Sequence, residues 1–86
     1  MLRRTVTVAS ASGLHARPAM LVTQAAAAAG TPITIARPGQ APVDASSILL
    51  VMGLGVQHGE EVEIASKDPL ALHTLADMIT TDLDAR

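Results

Sequence analysis

Apolar and polar residues alternate over residues 2–9: Leu2, Val6 and Val8 share one side with Arg4, while Arg3, Thr5 and Thr7 share the other. A period of two is that of a half-buried strand. Ser10, Ala11 and Ser12 are small and polar, and suit the connection out of it. Over residues 16–29 the period becomes helical. Leu21, Val22, Ala25, Ala26 and Ala29 form an expected inward stripe, with Ala16, Met20, Thr23, Gln24 and Ala27 opposite. Gly30 suits the C-terminal cap of this helix, because glycine takes the left-handed conformation at no steric cost.

Residues 31–37 predict a second strand with Ile33 and Ile35 on one face, followed by a turn at Pro38-Gly39-Gln40. Residues 41–44 predict a short third strand, held to a sheet edge by Pro42, which has no N–H for a ladder. Residues 47–52 predict a short helix capped by serine and ending at Gly53. A glycine-bounded turn over 55–59 leads into a strand over 60–65, with Val62 and Ile64 inward and Glu61 and Glu63 outward. Asp68-Pro69 is an N-cap followed by proline at the first helical position. The last helix is expected to reach about residue 84, with Leu72, Leu75, Ala76, Ile79 and Leu83 inward and His73, Asp77, Thr80 and Asp84 opposite. The order βαββαβα, with polar-faced strands, predicts an α+β fold: a four-stranded antiparallel sheet with three helices on one face.

Composition narrows the function classes. Residues 1–86 are short enough for one domain with a single modest core and little room for a deep cleft. Without cysteine there is no disulfide and no thiolate metal site. Without Phe, Tyr or Trp the core is aliphatic, and the stacking platform of a nucleic-acid-binding sheet is missing. A net charge of −2 points the same way. No stretch is long and apolar enough to span a bilayer, and Met1-Leu2-Arg3-Arg4 has no apolar segment after it to make a signal peptide. A cytoplasmic monomer without membrane insertion is expected.

The densest chemistry lies in Ser12-Gly13-Leu14-His15-Ala16-Arg17-Pro18-Ala19. Gly13 suits a positive φ, and Pro18 fits only the first turn of a helix, so His15 sits at the helix mouth. Free backbone N–H groups and the positive end of the helix dipole collect there. The first turn has no acid and adds Arg17, which disfavours the helix by a few tenths to about 1 kcal/mol unless an anion binds. An imidazole nucleophile inside an oxyanion cradle suggests phosphoryl transfer through a phosphohistidine. Against this, a lone histidine at a helix start is commonly a passive cap or surface residue, and an arginine two positions on is commonly solvated.

Gly13-Leu14-His15-Ala16-Arg17-Pro18-Ala19 resembles the active-site motif of the HPr family, the histidine-containing phosphocarriers of the bacterial phosphoenolpyruvate-dependent sugar phosphotransferase system. The resemblance covers nearly the whole chain, taking in Ser47-Ile48-Leu49, Val51-Met52-Gly53-Leu54-Gly55 and Gly59-Glu60-Glu61-Val62. It implies an open-faced β-sandwich with strands in the order first, fourth, second, third. It also implies a carrier rather than a turnover enzyme, with no cofactor. His15 would accept a phosphoryl group on its δ nitrogen from phospho-Enzyme I and pass it to Enzyme IIA domains of sugar permeases. Arg17 and the backbone N–H groups of Ala16 and Arg17 would hold the oxygens. Ser12 has two readings, as a donor to the phosphoryl group or as a cap of the turn.

Residues 48–52 are five consecutive apolar positions on a helix too short to bury them all. They form either a helix tucked under a loop or a docking patch. By the resemblance, Met20, Ile48, Leu49 and Met52 would rim His15 and contact partners. Family members often carry Lys or other polar residues here, whereas this chain has Met20, Gln24, Ala27 and Leu50, and its only lysine is Lys67. Docking would then rest more on apolar contact than on charge. Ser47 is a helix cap by default. It also matches the serine that a dedicated HPr kinase/phosphatase modifies in many Gram-positive members, where a catabolite regulator then binds. Ser46 precedes it where some members have a basic residue.

His58 reads as a solvated turn residue. His73 and Asp77 are four apart on a helix but lack a third metal ligand, so a surface pair is expected. Two other functions fit the same residues: a regulatory paralogue of a nitrogen-type branch, and a module that binds an anion without a covalent bond.

Overall fold

Val6, Val8, Val62 and Ile64 are buried at alternate positions, as a sheet with one covered face requires. A computed structural model describes residues 1–85. Four strands, β1 (Leu2–Thr7), β2 (Ile33–Ala36), β3 (Val43–Asp44) and β4 (Glu61–Ser66), form one antiparallel sheet in the order β1-β4-β2-β3. The connections carry three helices: α1 (Ala16–Ala28), α2 (Ile48–Gly53) and α3 (Pro69–Ile79). A 3-10 turn at Leu83–Ala85 follows. The expected architecture and strand order are therefore observed, and β3, entered through Pro42, lies at an edge.

The core is aliphatic. Ile35, Val62 and Ile64 from the sheet meet Ala19, Val22 and Ala26 of α1, Val51 of α2 and Leu72, Leu75 and Ile79 of α3. Each fully buried Val, Leu or Ile contributes about 1.5–3 kcal/mol. On the other face of the sheet Arg3, Thr34 and Glu63 surround the small, buried Ala36 and Ala65, and Arg3 and Glu63 approach to 3.5 Å. Such an exposed pair stabilises by at most about 1 kcal/mol.

Three local expectations are corrected. Leu2, assigned inward, is 48% exposed, at the open end of the edge strand β1. Thr23, assigned to the outer stripe of α1, is buried: its hydroxyl donates to the Met20 carbonyl at 3.0 Å and so needs no water. The last helix stops at Ile79 rather than near residue 84. The Thr80 and Thr81 hydroxyls donate back to the Ala76 and Asp77 carbonyls at 2.8 and 2.7 Å, satisfying the helix end. The chain then turns, and Leu83 still reaches the core, from the 3-10 turn instead of from the helix.

Candidate functional site

The turn between β1 and α1 is pinned from two sides. On one side lies the end of the chain. Ala9 N–H donates to the Ile79 carbonyl at 3.0 Å, and the buried Ser10 hydroxyl accepts the Leu83 N–H at 3.0 Å. Ser12 donates both its N–H and its hydroxyl to Asp84 Oδ2, each at 2.8 Å. On the other side lies the loop between α2 and β4, where the Val56 carbonyl accepts the Leu14 N–H at 3.0 Å. Gly13, between these anchors, takes the expected positive φ of 71°. A Cβ there would also lie 2.7 Å from the Gln57 Cα, so two independent constraints require glycine.

His15 is the N-cap residue of α1, in an extended conformation with φ −142° and ψ 156°. Its ring makes no capping bond and is exposed, so the imidazole is not spent on the helix. Ala16 follows at φ 50°, the one positive φ outside glycine among the described residues. A left-handed alanine costs roughly 1–2 kcal/mol. Strain of this kind persists where surrounding contacts over-determine it, and it clusters at functional positions. The first turn of α1 carries no acid. Arg17 is near enough to Asp84 to help hold that carboxyl down.

A cavity of about 340 Å³ opens beside His15, lined by Ser12, Met52, Val56, Gln57 and His58 among others. The sequence places His58 in a solvated turn. It is exposed, but its Nδ1 bonds the Ala9 carbonyl at 3.1 Å and its ring shares the cavity with His15. The local pattern holds no signal for this. It follows from the β1–β4 register, continued by the Gly59 N–H donating to the Val8 carbonyl at 2.9 Å, which sets residue 58 beside residue 9.

A second depression lies between α1 and α2, lined by Ala16, Met20, Gln24, Ala27, Ile48 and Met52. Met20, Ile48, Leu49 and Leu50 are 44, 37, 80 and 48% exposed, whereas Val51 is buried. Met52 is half-buried and lines both this groove and the His15 cavity, so the two adjoin at its side chain. Ser47 caps α2, its hydroxyl accepting the Leu50 N–H at 3.4 Å, and the Ser46 hydroxyl donates to Asp44 Oδ1 at 2.7 Å. His73 turns toward Arg4 Nη1, 3.5 Å from its Nδ1. Among the described residues no cluster of three His, Asp or Glu could hold a metal.

The Ser12 N–H and hydroxyl, with the Arg17 charge beyond them, hold the Asp84 carboxyl below its ordinary 3.8. A carboxyl depressed on folding contributes stability that is fully present above the unfolded value and is lost as pH falls through the folded one. Asp84→Asn should therefore lower Tm at pH 7 relative to the parent. The gap should close as the pH drops below 3.8. Thermal melts of both proteins across that range check it; a gap that persists in acid would mean that Asp84 acts through shape alone.

The family described as PTS-HPr, "PTS HPr component phosphorylation site", matches residues 2–81. The "Phosphocarrier protein HPr" of Streptomyces coelicolor is 46% identical, covering 98% of this chain and 94% of its own length. That of Haloferax volcanii is 37% identical, covering 93% of this chain and 94% of its own. The crystal structure of a phosphocarrier protein HPr from Bacillus anthracis superposes with a TM-score of 0.84 at 32% identity, covering 91% of this chain and 95% of that one.

Proposed function

Because this chain belongs to the HPr family of phosphocarriers, we propose that His15 accepts a phosphoryl group from phospho-Enzyme I and delivers it to Enzyme IIA domains of sugar permeases. The observation that carries the proposal is the exposed His15 ring, uncommitted to capping, at a helix mouth without acids. A ring nitrogen attacks phosphorus, the new N–P bond forms as the donor's N–P bond breaks, and the electron pair returns to the donor nitrogen. The second transfer repeats this with His15 as leaving group, so the protein is regenerated rather than turning over substrate.

Little covalent work falls to the chain beyond placing nitrogen and phosphorus in line and balancing charge. The guanidinium of Arg17 and the backbone N–H groups of Ala16 and Arg17 hold the phosphoryl oxygens. The phosphoryl group competes with the Asp84 carboxylate for the Ser12 donors. The protein works in the cytoplasm, where phosphoenolpyruvate is made. Ser47 stands beside the docking patch as a candidate acceptor for a regulatory kinase, whose product a catabolite regulator would recognise. The test is incubation with phosphoenolpyruvate and Enzyme I. One acid-labile, alkali-stable phosphate per chain is expected. Binding of inorganic phosphate with no covalent uptake would replace the proposal with an anion-binding module.

Met20, Ile48, Leu49 and Met52 form the docking surface, with flexible methionines that can fit more than one partner. Leu49→Glu places a charge at its most exposed position. The second residue of a helix accommodates an acid, so Tm should hold within about 2 °C. Enzyme I binding should weaken about tenfold or more, because the charge must be desolvated on docking. Titration calorimetry and a thermal melt decide it; a large fall in Tm with unchanged affinity would remove Leu49 from the interface.

A further inference from the structure

Arg37 follows β2 and reaches across to the loop joining α2 to β4. Its Nε–H donates to the Leu54 carbonyl and its Nη2 to the Gly55 carbonyl, both at 2.7 Å. The rest of the fork meets Glu60, Nη1 to Oε2 at 3.1 Å and Nη2 to Oε1 at 3.3 Å. Glu60 Oε1 also accepts the Gln57 N–H at 2.8 Å, so one carboxylate closes the loop upon itself. The Arg37 side chain is only 28% exposed. A planar fork that serves two carbonyls and a carboxylate at once cannot be copied by a lysine ammonium.

The other side of this loop holds the His15 turn. The Val56 carbonyl takes the N–H of Leu14, the residue before His15, and the Gly59 N–H reaches the Val8 carbonyl. The start of the loop also closes α2, with the Gly55 N–H donating to the Met52 carbonyl at 3.1 Å. The loop thus ties the helix of the apolar patch to the turn of the nucleophile. Among the described residues only one of its fastenings is ionic.

We propose that Arg37 and Glu60 are positioning residues for phosphoryl transfer. Their clamp fixes residues 54–60, the loop fixes the Val56 carbonyl, and that carbonyl fixes Leu14 and hence the His15 ring relative to the docking patch. The proposal rests on His15 being the acceptor. It differs from an ordinary exposed ion pair in what it orders, since a misplacement of about 1 Å at the reacting atoms can cost about 10²-fold in rate.

The test compares Arg37→Ala, Glu60→Ala and Glu60→Gln with the parent. In transfer from phospho-Enzyme I, the first two should lower kcat about tenfold with KM within about twofold. Glu60→Gln keeps an acceptor oxygen for Gln57 and Arg37 and should restore most of the rate. In the unphosphorylated proteins the His15 ring resonances should shift in both alanine variants and stay near the parent's in Glu60→Gln. Alanine variants with a lower Tm but parental kcat and unmoved His15 resonances would overturn the proposal. A parent chain that takes up no phosphate would instead overturn the phosphocarrier reading, and the ring resonances would still decide whether the clamp positions His15.

Discussion

His15→Ala folds like the parent and accepts no phosphoryl group from phospho-Enzyme I. Both halves of this expected result follow from the helix mouth. The ring is exposed and makes no capping bond, so its removal leaves no cavity and no orphaned donor. A substitution of that kind changes stability by about 0.5 kcal/mol or less. The rate loss is complete because no other group can form the N–P bond in the same place: alanine has no lone pair to offer. Mass spectrometry of the variant after incubation with phosphoenolpyruvate and Enzyme I, beside a thermal melt, gives the answer. The informative failure is a variant that still gains one acid-labile phosphate. His58 lines the same cavity, and a phosphate mapped to its ring would move the acceptor across that cavity rather than abolish it. A phosphate on His73, out on α3 against Arg4, would mean that the helix mouth is not the site at all.

Much of this arrangement is legible from local rules. Period-two alternation marks β1 and β4 because Val6, Val62 and Ile64 turn toward the helices while Thr5, Thr7 and Glu61 turn away, and proline and glycine mark the turns because their φ preferences hold in any context. The exposed patch on α2 is legible from simple geometry, since a helix of six residues cannot turn five apolar side chains inward. What escapes is whatever depends on partners far along the chain. The end of α3 is set by threonine back-bonds and by Leu83 meeting Ser10, a pair 73 positions apart. The strand order is implied only by the family resemblance, because alternation says which face a strand buries and not which neighbour it pairs with. The Arg37–Glu60 clamp, the place of His58 and the left-handed Ala16 have no periodic signature. The first two depend on bonds between residues distant in the chain, and the third is a single dihedral.

Gly13 joins the two levels, legible as a turn glycine and yet constrained more tightly than a turn requires. Gly13→Ala should be the most damaging small substitution in the site. Its φ of 71° alone sets the cost of a left-handed alanine at about 1–2 kcal/mol. The added methyl would also press on the backbone of Val56 and Gln57, lying 2.7 Å from the Gln57 Cα. Backbone cannot swing aside as a flexible side chain can. Either the loop moves, breaking the bond from Leu14 to Val56, or the turn does, carrying His15 with it. Overpacking of this sort adds about 1–3 kcal/mol, for a total near 2–5 kcal/mol. Gly30→Ala supplies the control. It has nearly the same φ, 72°, with nothing within 4 Å of the new carbon, so it should show the conformational cost alone. Urea unfolding of both variants separates strain from collision. The phosphorylation rate of the folded fraction of Gly13→Ala should fall as well, since the collision sits two residues from His15. Equal losses of stability in the two variants would mean that the loop yields freely, and that Val56 does not hold the His15 turn in place.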